Sequence, residues 1–379
     1  MTIYKMILTQ CTVCATELGL TLGKKCGRCS TRYCGPECQV QHWKEGGHDQ
    51  LCKKIKKAGG AEQYNANKKY AEAVAVAVEK CAEDTKGQTC YICTEAVHRH
   101  TKEGLVRGCA CRGTSGVAHV SCLVEQAKIL IAEAEENNLG IKYDARWRRW
   151  DTCSLCEQQY HGVVRCALGW ACWKTYLGRA EADQARFMAM TELGNGLLAA
   201  KQFAAALPVK EAELSMMRRL GASHHNILIA QGNLANTYAG LGRWDESLGV
   251  RRDIYCGFVR VLGEEDRETL LEAHNFALSL VNDRVRKFGE AKSLLRKNIP
   301  TAQRVLGEGN ENTLRMRMLH ARALCQDPAA TLEDLREAVN ALEDTERTAR
   351  RVFGDAHPFI STIGHCLRFA RGALGVHEE

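Results

Sequence analysis

Sixteen cysteines and histidines stand in eight short pairs before residue 157, and that arrangement limits the fold more than any other feature. The first eight are Cys11-x2-Cys14, Cys26-x2-Cys29, Cys34-x3-Cys38 and His48-x3-Cys52. The second eight are Cys90-x2-Cys93, Cys109-x-Cys111, His119-x2-Cys122 and Cys153-x2-Cys156. Two donors from one short knuckle fill half of a tetrahedral zinc shell, so each block of four pairs fills two shells. His48 and Cys52 are four apart and share one face of a helical turn. The chain has 20 cysteines in 379 residues. That is less than the roughly 8–10% that marks a small secreted disulfide scaffold. Only Cys256, Cys325 and Cys366 lie beyond Cys172. Thiols clustered in this way hold metal in a reducing compartment more readily than they form disulfides. Every shell is closed by protein donors, which leaves no open position for water and argues against zinc hydrolysis. The metal's first role is to fold domains too small to fold alone. Four zinc ions, two per block, are expected, and no catalytic residue.

The remaining composition narrows the setting. MTIYKMILTQCTVC has no long apolar core and no small-residue cleavage site, so no secretory leader is expected. No run reaches 18 apolar residues, and no membrane span is expected. A cytoplasmic or nuclear location follows as the default. The formal charge of +7 is mild. KKIKKAGG (53–60) and RWRRW (146–150) read as solvated faces and linker, and nucleic acid is not an expected partner because no nucleic-acid motif accompanies them.

The C-terminal half repeats. MMRRLGASHHNIL, VRVLGEEDRETL, AQRVLGEGNENTL and ARRVFGDAHPFI place glycine at Gly221, Gly263, Gly307 and Gly354, at spacings of 42, 44 and 47. Small residues recur at Gly194, Ala235, Ala277 and Ala321, and again at Ala206, Ser247, Ala291 and Ala338. The gaps between these two markers are 12, 12, 14 and 17, so they grow by the same two and five residues as the repeat itself. The insertions therefore fall in the turn between two paired helices. Small markers let such helices approach closely, and a unit of this kind buries its apolar face only by stacking on its neighbours. GNLANTYAGLGRWDESL (232–248) resembles the tetratricopeptide repeat, and the longer period resembles its kinesin light chain subtype. CQDPAATLEDL departs from the usual tight turn, and HPFISTIGHCLRFARGALG (357–375) reads as a capping helix.

The first Cys/His block resembles the MYND zinc finger in order and spacing, including YCGPECQ and Trp43, which is expected in the last helix. The resemblance implies interleaved pairs, with Cys11, Cys14, Cys34 and Cys38 on one zinc and Cys26, Cys29, His48 and Cys52 on the other. It also implies binding of short peptides. His42 is expected as a surface residue of the same turn.

CACRGTSGVAHVSCL, CYIC and CSLCEQQY resemble the RING-CH finger. That resemblance implies one zinc on Cys90, Cys93, His119 and Cys122, and another on Cys109, Cys111, Cys153 and Cys156. VEQAKILIAEAEENN, in the long gap before Cys153, reads as an extended helix. RING-CH proteins are typically ubiquitin ligases that hold a charged ubiquitin-conjugating enzyme in a reactive geometry, so catalysis is orientation. Ile92 and Leu155 stand at the knuckle positions where the family makes apolar partner contacts, although Ile92 reads equally as core. The family's tryptophan is Gln126 here, leaving Trp147 or Trp150 to stand in. His98 and His100 are expected on the surface.

The expected fold is mainly α, with two small cross-braced zinc-binding domains followed by a tetratricopeptide-type α-solenoid. The expected segments are 1–53 (first finger), 54–88 (basic, helical linker), 89–160 (second finger), 161–184 (aromatic-rich connector) and 185–379 (repeats). The connector is expected to pack the second finger against the first repeat helix. The functional expectation is a zinc-binding protein-interaction protein and candidate ubiquitin ligase. A non-enzymatic scaffold is the alternative, with a chromatin regulator behind it.

Overall fold

The computed structural model describes residues 11–14, 16, 18, 22–138, 140–180, 182–355 and 357–378. The segment considered above for a leader, residues 1–10, lies outside them. The chain divides into two compact units, Met1–Gly221 and Ala222–Glu379. Among the described residues no helix is long and apolar enough to cross a membrane.

The first unit begins with a two-stranded antiparallel ribbon, β1 (Lys24–Lys25) and β2 (Arg32–Tyr33), in which Lys24 faces Tyr33. Two short helices follow, α1 (Pro36–Lys44) and α2 (His48–Lys57). Pro36 opens α1, where a missing amide proton costs nothing. Trp43 lies in α1, one helix before His48, because Gly46 and Gly47 divide the segment expected to be continuous. The local core is little more than Leu18, Tyr33, Ile55 and Ala61 around buried cysteines. A core of this size needs a staple.

Helix α3 (Ala61–Cys81) lies in the segment expected as a helical linker and includes AVAVAV (73–78). Val74 and Ala77, three apart, are buried, while Val76 faces solvent. Then come α4 (Val120–Glu136), α5 (Gly140–Trp147), α6 (Gly162–Tyr176), α7 (Gln184–Ala199) and α8 (Phe203–Arg219). The helix read from VEQAKILIAEAEENN is α4. Helix α6 comes from the aromatic-rich connector and is buried almost all round, as a helix without a polar stripe must be. It packs on α3, α4 and α7. Its crossing with α7 is close. A Cβ at Gly169 would lie 2.8 Å from the Glu192 carbonyl oxygen, and one at Gly196 would lie 2.8 Å from that of Arg165. The first repeating helix pair, α7 and α8, belongs to this unit.

The second unit is α9 (His224–Gly240), α10 (Trp244–Leu262), α11 (Arg267–Leu280), α12 (Phe288–Leu306), α13 (Glu311–Gln326), α14 (Leu332–Phe353) and α15 (Pro358–Glu378). Successive helices pack, α11 also touches α13, and α13 touches α15. That layering gives TPR-like pairs with α15 as the last layer. All eight small markers are buried. The second helix of three pairs ends at Gly263, Gly307 and Gly354, with φ of 89°, 96° and 79°. No atom lies within 4 Å of a Cβ placed there, so backbone conformation alone requires glycine. The next helices begin on side-chain caps from Asp266 and Asn310. The inserted residues lie where the marker gaps put them, in 281–287 and before the Thr331–Asp334 capping box that starts α14.

Candidate metal centres

In the first finger the ribbon and two helices bring together two sets of donors. One is Cys11, Cys14, Cys34 and Cys38; the other is Cys26, Cys29, His48 and Cys52. The ligand atoms of each set all lie within 4.8 Å of one another. Cys14 Sγ is 3.4 Å from Cys34 Sγ, and Cys34 Sγ is 3.5 Å from Cys38 Sγ. In the second set the Cys29 thiol is 3.4 Å from His48 Nε2. His48 and Cys52 face inward from one side of α2, as a four-residue spacing requires. His42 is not a surface residue. It is buried, and its Nδ1 hydrogen-bonds the Tyr33 hydroxyl at 3.0 Å, which fixes α1 to β2. Burial holds its pKa below the usual imidazole value.

The second finger forms two more sets under the same 4.8 Å limit: Cys90, Cys93, His119 and Cys122, then Cys109, Cys111, Cys153 and Cys156. His119 precedes the first turn of α4, which also carries Cys122, and its Nδ1 lies 3.3 Å from Cys93 Sγ. Three of the CxxC knuckles, those ending at Cys29, Cys93 and Cys156, share one backbone device. Ser30, Thr94 and Glu157, each just after a knuckle's second cysteine, have φ of 61°, 63° and 55°. This left-handed residue turns the chain so that the amide of the first cysteine bonds a carbonyl beyond the knuckle, as in Cys90 to Glu95 at 3.0 Å.

All sixteen expected ligands thus fall into four tetrads, two of four cysteines and two of three cysteines with one histidine, and these are the donor sets of structural zinc. Thiols this close cannot all ionise without a cation. A hydrogen bond from the Thr16 hydroxyl lowers Cys14 to about 6, while burial and the neighbouring Cys34 push Cys38 up. Zinc, once bound, would hold every thiol of a set as thiolate. Gly116 was not singled out by spacing, yet its setting is strict. A Cβ there would lie 2.6 Å from Cys111 Cβ and 2.9 Å from Cys109 Sγ, and φ is +74°. Cys81, Cys166 and Cys172 are buried and join no metal cluster among the described residues.

Beside the second finger's metal sites is an open groove of about 710 Å³ lined in part by Ile92, His100, Ser121, Gln126 and Ile129. Ile92 is 38% exposed and Leu155 52% exposed, so neither is core. Each donates its backbone N–H to the first thiol of its knuckle at 3.4 Å. The two knuckles are tied by a Tyr91–Ser154 hydroxyl bond of 3.1 Å. Trp147 and Trp150 are buried at 4% and 1%, pack against Tyr176, and do not line this groove. His98 is half-buried against His119, and His100 is exposed.

Residues 11–52 match the family model of the MYND finger. The first finger is a MYND finger. No curated protein matches the chain. Among solved structures it is similar to BtubC (BKLC) from P. vanneervenii, at 14% identity and a TM-score of 0.45, over 68% of this chain and 85% of that one. It is also similar to two structures of Podosopora anserina putative kinesin light chain nearly identical TPR-like repeats, each at 18% identity and a TM-score of 0.42. Those cover 62% of this chain and 97% and 98% of theirs. The helix pairs that follow the MYND finger are TPR-like in their own layering, each helix packing on the next.

Proposed function

We propose that this chain is a zinc-built protein-interaction scaffold whose second finger is of the RING-CH type and recruits a ubiquitin-conjugating enzyme. The observation that carries the reading is the placement of Ile92 and Leu155. They occupy equivalent positions on two knuckles that are bonded to each other, and both present apolar side chains to solvent. Aliphatic side chains held at solvent by rigid metal knuckles offer a partner pre-ordered apolar contacts. The groove next to Ile92 extends that surface along α4. Such a site needs no nucleophile; it accelerates transfer by holding the thioester in a reactive geometry.

The other parts then act as receptors for peptide segments of partner proteins. On the MYND finger, Val40 and Trp43 are exposed three residues apart on α1. In the second unit Ile229 and Leu271 share one repeat position, six before the small marker, and both are about half exposed. The cytoplasm or nucleus is the matching location, where clustered thiols stay reduced. The rival reading is a scaffold without ligase activity, and Gln126 favours it by placing a polar side chain in the groove.

The test uses the full chain with a panel of ubiquitin-charged conjugating enzymes, following loss of the thioester with and without a zinc chelator. Zinc-dependent discharge by any member is expected. Ile92→Ala should slow it by about tenfold, as loss of one anchoring contact implies, with zinc content unchanged. No discharge across the panel leaves the scaffold reading.

A further inference from the structure

Solvent access separates the four metal sites. Both Cys14 and Cys34 are exposed, and Cys38 is half-exposed. The other MYND site, Cys26, Cys29, His48 and Cys52, is wholly buried. The second finger's two sites contain buried and half-buried ligands and no exposed one. The exposed pair is also adjacent, at 3.4 Å between sulfurs.

We infer that the Cys11, Cys14, Cys34 and Cys38 site is a redox-sensitive clamp, the one of the four that yields its zinc to a peroxide while the others keep theirs. Buried thiolates are shielded from an attacking oxidant, whereas exposed ones are not. The Cys14 sulfur attacks one peroxide oxygen, the O–O bond breaks, and the leaving oxygen is protonated to water. The Cys34 sulfur then attacks the sulfenic sulfur and expels hydroxide, which becomes the second water. Two thiolates, one hydrogen peroxide and two protons thus give one disulfide and two waters, with two electrons passing from sulfur to oxygen. Cys11 and Cys38 remain, half a shell, which does not retain zinc.

The consequence falls on α1. Cys38 lies in its first turn, while His42 near its other end is held by Tyr33. Releasing Cys38 frees the end of the helix that presents Val40 and Trp43. Peroxide would therefore switch off the MYND finger's apolar face and leave the second finger intact. Thiol reductant with zinc would restore it.

The inference rests on the metal assignment and not on the ligase reading. The experiment starts from full-length protein whose metal content is measured first. Limiting hydrogen peroxide is added, zinc release is followed with a colorimetric chelator, and thiols are mapped by alkylation and mass spectrometry. The expected result is a first phase of one zinc per chain, a Cys14–Cys34 disulfide, and faster hydrogen exchange in residues 36–44. A Cys14→Ser, Cys34→Ser double variant should bind three ions and lack that phase. Release of all ions in one phase, or first oxidation in the second finger, would overturn it.

Discussion

Gly116 turns the chain against the second finger's last metal set, and no other residue fits there. Gly116→Ala adds one methyl group where Cys111 and Cys109 already stand, on a backbone that disfavours any side chain. Purified G116A should carry three zinc ions rather than four, read by metal analysis, with the MYND sites filled. Glu192 makes a second case. It lies beside Arg165 at 3.2 Å in a buried group that also holds Asp151, Lys210 and Glu213, three carboxylates for two cations. Desolvation raises its pKa to about 7, against Arg165 and Lys210, which lower it. The folded state therefore holds this proton more tightly than the unfolded chain does. Its contribution to stability is fullest below the ordinary carboxylate value of 4.5 and is lost as pH rises through about 7. Glu192→Gln removes that slope. Its Tm relative to the parent should climb between pH 5 and 8, and a flat difference would remove Glu192 from this role. Ligands were legible as residues because zinc imposes fixed donor spacings. Gly116, buried His42 and Glu192 were not, because their roles depend on neighbours distant in sequence.

The helix pairs were legible as elements because two small markers and one glycine recur together. The glycine marks a backbone conformation and the small residues mark helix contact, so both survive sequence drift between repeats. Gly307→Ala should lower the stability of the second unit by about 1–3 kcal/mol through backbone strain alone, measured by chemical denaturation, with metal content unchanged. The roles of α3 and α6 were harder to read. The 54–88 linker reads as helical and α3 is the helix within it, but which face of AVAVAV is buried emerges only when α6 is packed against it. Gly169 and Gly196 give no periodic signal, yet they set the closest approach of α6 and α7. Gly169→Ala must push against the backbone of α7 and should cost about 1–3 kcal/mol as overpacking, seen as a lower melting temperature.

The molecule combines two metal-stapled fingers with stacked helix pairs, and its first unit includes α3 before the second finger and α6, α7 and α8 after it. A fragment ending near residue 165 would cut through α6 and strip the second finger of its packing partner. The function proposed at this scale is the holding of proteins, by an apolar α1 face on the MYND finger, a groove on the second finger and exposed aliphatic positions in the second unit. Everything depends on four tetrads being filled together. The most direct measurement is zinc per chain on the intact protein by native mass spectrometry, before and after acid release. The account predicts four ions. Two ions would mean that one whole finger is not a metal domain and would contradict it.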